Sequence, residues 1–540
     1  MTTRLGLFSI LAGLTSAPSL TADTLAFPLR TRAATNLGID IKATPVSWKV
    51  AETALIVCDF WDSHNCGNAA KRVNEMAPRL AEVVEQARQR GVFIIHAPSD
   101  CMKNYEDHPA RKRAQEASKA ANLPAGIDKW LYWKDAIEEK AGYPIDATDG
   151  GCDDTPEEAA AWKKQLAAEG RDQQKWPWRG EHPSIKIDAE RDAISDKGVE
   201  VWNMLEQRGI KHVLFTGVHT NMCVCGRPFG LRQLSNHGKN IVLVRDLTDT
   251  MYNPSKPPFV SHYRGTELML AHVEKLICPT TSSSELFGGQ SYTFPGDKRP
   301  SLAVMIGEDE YKTWETLPAF MEDKLGKDFR INYVLETTAK SGEFAGMDAL
   351  KTADALVVSV RRRALPKDQL DAVRAFVARG GAVVGLRTTS HAFALRSNAE
   401  PPPGRAVWPD WDEKVLGGNY QSHSGKDAKT FATTAAPSSK EPSEAHWFLE
   451  GVPRHEFPTG GSLYKNTPLR GKVEVLMVGY VEGSDTTQPG ACEPVAWTHT
   501  SPGGGRVFYT SLGHADDFKR PEFCRLLENA IRWAATAEKR

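Results

Sequence analysis

The chain of 540 residues lacks an excess of either charge: 67 Lys and Arg stand against 68 Asp and Glu, a formal net charge of −1. Without a basic surplus to neutralise phosphates, the composition excludes a nucleic-acid partner held by bulk electrostatics. Cysteine is sparse, nine residues in all. That is too few for a disulfide-built scaffold, and the odd count leaves at least one thiol unpaired in a monomer. The 43 Gly and 33 Pro follow no period, which excludes a collagen-like repeat. No apolar run reaches the roughly 18 residues that a membrane-spanning helix needs. What the chain does have is 41% hydrophobic and 25% charged residues, values of a folded globular protein and too apolar for disorder. At roughly 150 residues per domain, the length accommodates two to four domains.

The N-terminus reads as a leader. Arg4 precedes the apolar run Leu5–Leu14, and small residues follow at Thr15-Ser16-Ala17 and Thr21-Ala22, where a signal peptidase cuts. Residues 1–22 are therefore expected to be a signal peptide, with the mature chain beginning between Pro18 and Leu25. The protein is then exported to the periplasm or medium, or stays cytoplasmic where the leader goes unrecognised.

Beyond it, strands alternate with helices. Thr53–Cys58 is a continuous apolar run of the kind that forms a buried parallel strand. Ala70–Arg90 carries apolar residues at helical spacing, and Val92–Ile95 is a second strand. Further strands are read at Val213–Thr216 and Ile241–Val244, with helices from about Met222 and over His262–Leu276. A Gly/Ser/Pro-rich stretch, 286–299, breaks the pattern before a second series at Leu302–Ile306, Ile331–Leu335, Ala355–Val358, Ala382–Leu386 and Arg506–Thr510. The expected fold is α/β: two three-layer α/β/α domains, 45–285 and 300–537, each with a mostly parallel Rossmann-like sheet. The Trp-rich segment 101–183 is too long for a bare loop and is expected to form a partly helical cap.

Ligands of open α/β sheets bind beyond the carboxyl ends of the strands. Those ends present Asp59 after the first strand and Cys223 after Val213–Thr216, with Lys186 in the short apolar element Ile185–Ile187. A cysteine at a helix start has its thiolate favoured by the dipole, a lysine adds to the effect, and a carboxylate takes the thiol proton. Taken singly, such a Cys is as readily a small core hydrophobe, the Asp a cap and the Lys a solvated charge. Asp146, Asp149, Asp153 and Asp154 around Gly150-Gly151 fail the calcium-loop spacing and read as a solvated turn.

The strings Thr53-Ala-Leu-Ile-Val-Cys-Asp59 and Gly217-Val-His-Thr-Asn-Met-Cys223-Val resemble those of the isochorismatase-like cysteine hydrolases, the superfamily of nicotinamidases, over residues 50–280. The resemblance implies a Rossmann-like domain with Cys223 as nucleophile, Asp59 as base and Lys186 as cation. It further implies Trp61, His219, Thr220 and Asn221 around the substrate and backbone N–H groups near His219–Cys223 as the oxyanion site. The family's nicotinamidases hold a metal through Asp-x-His after the second strand. Here His96-Ala-Pro-Ser-Asp100 stands in that place, so no cofactor is assigned and a divalent metal lacks motif support.

Arg379–Arg387, Leu416–His423 and Gly505–His514 make residues 300–537 similar to the ThuA-like (trehalose-utilisation) proteins, with a glutamine-amidotransferase-like fold. Arg387-Thr-Thr-Ser390-His391 replaces the amidotransferase cysteine elbow, which removes ammonia release from glutamine. His391, His423 and His514 are expected to line a pocket for a sugar-like ligand. The function expected for the whole is hydrolysis of a small amide, N-carbamoyl or related bond. The alternative is a secreted carbohydrate-binding protein whose first domain has lost catalysis. A small molecule is the expected partner, and homo-oligomerisation stays open.

Overall fold

The computed structural model describes residues 23–536 apart from 174, 436–447 and 489, so the expected leader lies outside the described residues. The first sheet has eight strands: β1 (Thr24–Ala34), β2 (Ile39–Lys49), β3 (Thr53–Cys58), β4 (Phe93–Ala97), β5 (Ala193–Ile194), β6 (His212–Val218), β7 (Asn240–Asp249) and β8 (Thr280–Thr281). Their order is β2-β1-β8-β7-β6-β3-β4-β5. From β8 to β5 all neighbours are parallel, while β1 and β2 form an antiparallel hairpin on the β8 edge. β3 is buried at every residue and alternates between two cores. Ala54, Ile56 and Cys58 pack with the helix Gly198–Gln207, and Leu55 and Val57 pack with helix α1 (Gly67–Gln89). This two-sided burial explains the uninterrupted apolar run in the sequence.

The second sheet has ten strands. Its interior is parallel: β9 (Ser301–Gly307), β10 (Arg330–Glu336), β11 (Ala355–Val360), β12 (Ala382–Leu386) and β13 (Arg506–Thr510), in the order β10-β9-β11-β12-β13. Glu493–Thr500 and Val473–Val481 extend it antiparallel. The helices Thr313–Phe320 and Pro521–Ala535 cover one face, and Lys367–Ala378 covers the other. Both halves are thus three-layer α/β/α units. Among the described residues, no helix is long and apolar enough to cross a membrane.

The hairpin was not anticipated, since all of β1 and the first half of β2 precede the expected start of the first domain. β1 joins the first sheet, whereas Ile41 and Ala43 of β2 are buried among core residues of the second. Arg32 bridges Glu274 and Glu322, each at 3.1 Å, and Arg264 reaches Glu322 at 2.6 Å. The expected linker is also laid between both units: Tyr292 N–H donates to Asp246, and Ser291 Oγ donates to Asp348. Segment 101–183 contains the helices Pro109–Gln115, Ala136–Ala141 and Pro156–Ala168, a partly helical cap as expected.

Candidate functional site

Asp59 is the first residue past β3 and sits at φ 48°, a conformation costly for any residue with a Cβ. β6 runs so close alongside that a Cβ on Gly217 would lie 1.9 Å from the Cys58 carbonyl oxygen. Only glycine fits there. The Asp59 carboxylate is fully buried. One oxygen accepts the Ser99 N–H at 2.8 Å from the end of β4, and the other accepts Arg227 Nε at 2.8 Å. Past β6, the π-helical turn Thr220–Val224 sets the Cys223 thiol beside Asp59 and Arg227, both of which act on its titration. Three strand ends therefore converge on one sulfur.

Burial pushes the Asp59 carboxyl upward, against the pull of Arg227 and Ser99. Burial and the Asp59 charge push the Cys223 thiol well above the ordinary thiol range, with Arg227 opposing. At rest the site holds a neutral thiol beside Asp59, so the expected dipole-stabilised thiolate is corrected. The reason is local. No regular helix starts at Met222; the five-residue turn is followed only by the six-residue helix Leu231–Asn236, and the dipole of a long helix is missing.

Lys186 is a second correction. It lies outside any strand with its side chain exposed, and its carbonyl oxygen accepts from Arg88 at 2.7 Å. Asp188 and Asp192 turn the chain here: Asp192 accepts the Asp188 N–H and is clamped by Arg88. That network directs the Lys186 stem to solvent. The cation beside Cys223 is Arg227, whose guanidinium also lies 5.5 Å from the Trp130 ring. Thr220 and Asn221 are corrected as well. Thr220 Oγ1 bonds Thr248 and the Asp249 carbonyl, and the Asn221 amide pairs with both backbone groups of Met251. Both side chains brace the turn instead of facing a substrate.

Trp61 and His219 do border the sulfur. Trp61 stacks on Trp178 at 4.2 Å, Trp178 on Trp176 at 5.0 Å, and the Trp61–Trp178 pair packs against Cys223. Two of these rings come from the inserted cap. His219 is buried, its Nε2 has no partner among the described residues, and its ring stands 4.9 Å from His64. Trp178 Nε1 is also buried without a partner. Unsatisfied groups of this kind cost free energy unless a ligand or water engages them. His96 is locked between Glu181 at 2.6 Å and Asp192 at 3.0 Å, while Asp100 reaches Arg227 at 3.6 Å. The residues after β4 therefore do not fit the nicotinamidase metal site.

In the second unit, Arg387 is the first residue past β12 and has φ 42°. Its guanidinium lies 4.0 Å from the Tyr311 ring and 4.8 Å from the Tyr464 ring, and its buried Nε has no partner among the described residues. Glu308 positions Tyr311 by accepting three successive loop donors, the N–H groups of Glu310, Tyr311 and Thr313. His391 is buried, pairs with Ser390 Oγ at 3.0 Å and faces Tyr420 at 4.8 Å. Burial, followed by Arg362, Arg361 and further guanidiniums, pushes it down to about 3. His514 meets Tyr311 at 5.9 Å. His423 does not converge: it is exposed, with Nδ1 on the Ser424 carbonyl, because its two-residue strand sits at an outer edge.

The fold and strand-end residues define a protein of two Rossmann-like units. Residues 308–534 match the family model for trehalose utilisation, ThuA, and the second unit is ThuA-like. Among solved structures, a ThuA-like protein from Parabacteroides merdae is 18% identical, covering 45% of this chain and 91% of its own, at a TM-score of 0.31. A cysteine hydrolase from Pseudomonas syringae pv. phaseolicola is 13% identical over 44% of this chain and 92% of its own, at a TM-score of 0.26. An isochorismatase from Pseudomonas putida, also 13% identical over 44% and 92%, has a TM-score of 0.27. No curated protein matches the chain.

Proposed function

We propose that the first unit is a hydrolase of a small amide, N-carbamoyl or related C–N bond, with Cys223 as nucleophile. The observation that supports this most directly is the Cys223 thiol set beside a buried carboxylate that Arg227 and Ser99 hold in place. Because the resting thiol is neutral, its proton passes to Asp59 as the sulfur attacks the carbonyl carbon. The carbonyl π pair moves to oxygen. Of the turn's amides, those of Met222 and Val224 are engaged by the His219 carbonyl at 3.0 and 3.2 Å, and we assign the oxyanion to the Cys223 N–H beside the attacking sulfur. Collapse breaks the C–N bond, the departing amine takes the proton from Asp59, and a thioester remains. Water then attacks the thioester, giving a proton to Asp59, and the second collapse returns that proton to sulfur. Arg227 stays charged throughout and offsets the carboxylate. The Trp61–Trp178 wall suits an apolar or planar face of the substrate, and His219 Nε2 suits its polar edge.

Incubating wild type and Cys223→Ser with a panel of small amides and N-carbamoyl compounds tests this. Turnover in wild type, with an acyl adduct trapped on Cys223 and seen by mass spectrometry, is the expected result; no turnover and no adduct across the panel rejects it. The same null result would favour a carbohydrate-binding protein with a non-catalytic first unit, for which the Asp59–Arg227 ion pair speaks by occupying the base. In either case the unpartnered, buried Arg387 Nε between two tyrosine rings suits a polar, sugar-like ligand on the second unit.

A further inference from the structure

Outside both strand-end clusters, the cap and helix α1 bring two thiols and a carboxylate together. Cys66 immediately precedes α1, and Cys152 and Asp154 belong to the cap segment before the helix Pro156–Ala168. One donor atom from each of Cys66, Cys152 and Asp154 lies within 4.8 Å of the others, and Cys66 Sγ is 3.3 Å from Asp154 Oδ1. We propose that these three residues form a binding site for a thiophilic divalent cation of the zinc class.

The geometry is close to what such an ion needs. With Zn–S of about 2.3 Å and Zn–O of about 2.0–2.2 Å, the edges of a tetrahedron are roughly 3.5–3.8 Å, so small side-chain rotations suffice. The carboxylate is already oriented. Its oxygens accept the Gly67 and Asn68 N–H groups at 2.7 Å each, leaving lone pairs for a metal, as ligands fixed by outer partners do. The other side is soft and apolar, with Met222, Met251 and Ala69 packed around the thiols. Cys152 is half-buried, which gives the ion a way in. Asp153 is withheld by a two-pronged pairing with Arg72 at 2.8 and 3.0 Å, so water completes the fourth position. A disulfide would engage the two sulfurs alone, whereas a dication draws the Asp154 carboxylate beside them into the same site. On binding, two Zn–S bonds form as two S–H bonds break, both protons leave to solvent, and no oxidation state changes.

Such an ion ties the cap to the loop of the candidate active site. Cys66 N–H donates to His64 Nδ1 at 3.1 Å, and Trp162 of the cap donates to the His64 carbonyl at 2.8 Å. His64 in turn faces His219 beside Cys223. The site stands independently of the hydrolase reading.

The test uses the full chain, reduced and stripped with a chelator, titrated with Co2+ and then with Zn2+. One Co2+ per chain is expected, with a thiolate-to-cobalt charge-transfer band and a tetrahedral d–d pattern that Zn2+ abolishes. Cys152→Ser, at a half-buried position that perturbs packing least, should weaken binding at least about 100-fold, and Asp154→Asn at least about 10-fold, with unchanged circular dichroism. Cys223→Ser should bind as wild type does. Absence of the charge-transfer band, its survival in Cys152→Ser, its loss in Cys223→Ser, or a Cys66–Cys152 disulfide in protein from its native host would each overturn the assignment.

Discussion

Asp59 and Arg387 occupy the same place in the two halves of the molecule. Each is the first residue past an interior parallel strand, and each holds a left-handed backbone, φ 48° and φ 42°. In the first half that place presents a buried carboxylate to a thiol. In the second it presents a guanidinium to two tyrosine rings, with His391 and Ser390 a turn further on. The shared backbone shows that the layered fold supplies a strained, solvent-shielded perch at a strand end, and the side chain standing on it sets the chemistry. On the proposed function, one perch serves bond cleavage and the other recognition.

The contrast breaks most sharply on the nucleophile. Cys223→Ala should lower amide hydrolysis by about 10^4-fold or more with the fold intact by circular dichroism, while Arg387→Met leaves kcat/KM within about twofold, as for distant independent sites. Comparable losses in both variants would abolish the division of labour. Next, Arg227→Met should lower turnover by about 100-fold and move Cys223 alkylation to still higher pH, since Arg227 is the group holding that thiol down. Lys186→Met should change neither; superimposed alkylation profiles for Arg227→Met and wild type would return the cation assignment to the open. In the second half, Arg387→Met should weaken binding of neutral or acidic sugars by about 10-fold, read by calorimetry, and His423→Ala should not. The smallest effect concerns pH. Burial lowers His96, but Glu181 and Asp192 outweigh it and raise the ring to about 9. Its stabilisation is thus present below the unfolded value of about 6.5 and is lost as pH rises through 9. His391 is depressed to about 3 by burial and by Arg362 and Arg361. It therefore has the opposite sign, with stability present above about 6.5 and lost as pH falls. His96→Gln should flatten the alkaline side of a Tm-against-pH curve, and His391→Asn the acid side, by a few degrees each. Both variants flattening the same side would show that the two pockets do not differ in charge as described.

Much of the architecture was legible because parallel strands buried on both faces write continuous apolar runs. Ala382–Leu386, Arg506–Thr510 and the helix His262–Leu276 begin and end where the sequence pattern put them. The hairpin was missed although Ile39–Thr44 alternates apolar with charged or polar residues, because Pro28 and Pro45 interrupt its two strands and argue against a strand there. Of the site, Asp59 and Cys223 were legible from strand ends and motif spacing. Arg227 was not, although it lies four residues beyond Cys223, close enough for its N–H to bond the Cys223 carbonyl at 3.0 Å. Weighing that spacing against the more distant Lys186 would have found it. Trp178 and the metal-type trio could not be read, because both depend on where a long insertion folds back.

The β1–β2 hairpin gives the protein a history during its own synthesis. Ile41 and Ala43 leave the ribosome early, yet the core they enter is completed by the helix Thr313–Phe320 and the strand Ser301–Gly307. Until those emerge, one face of the hairpin waits without a partner, a long-range closure that slows assembly and invites chaperone attention. Severing the chain near residue 290 for separate expression would therefore leave the second half without its apolar cover and the first with a sticky flap. Laboratory fragments that behave should carry the hairpin in trans.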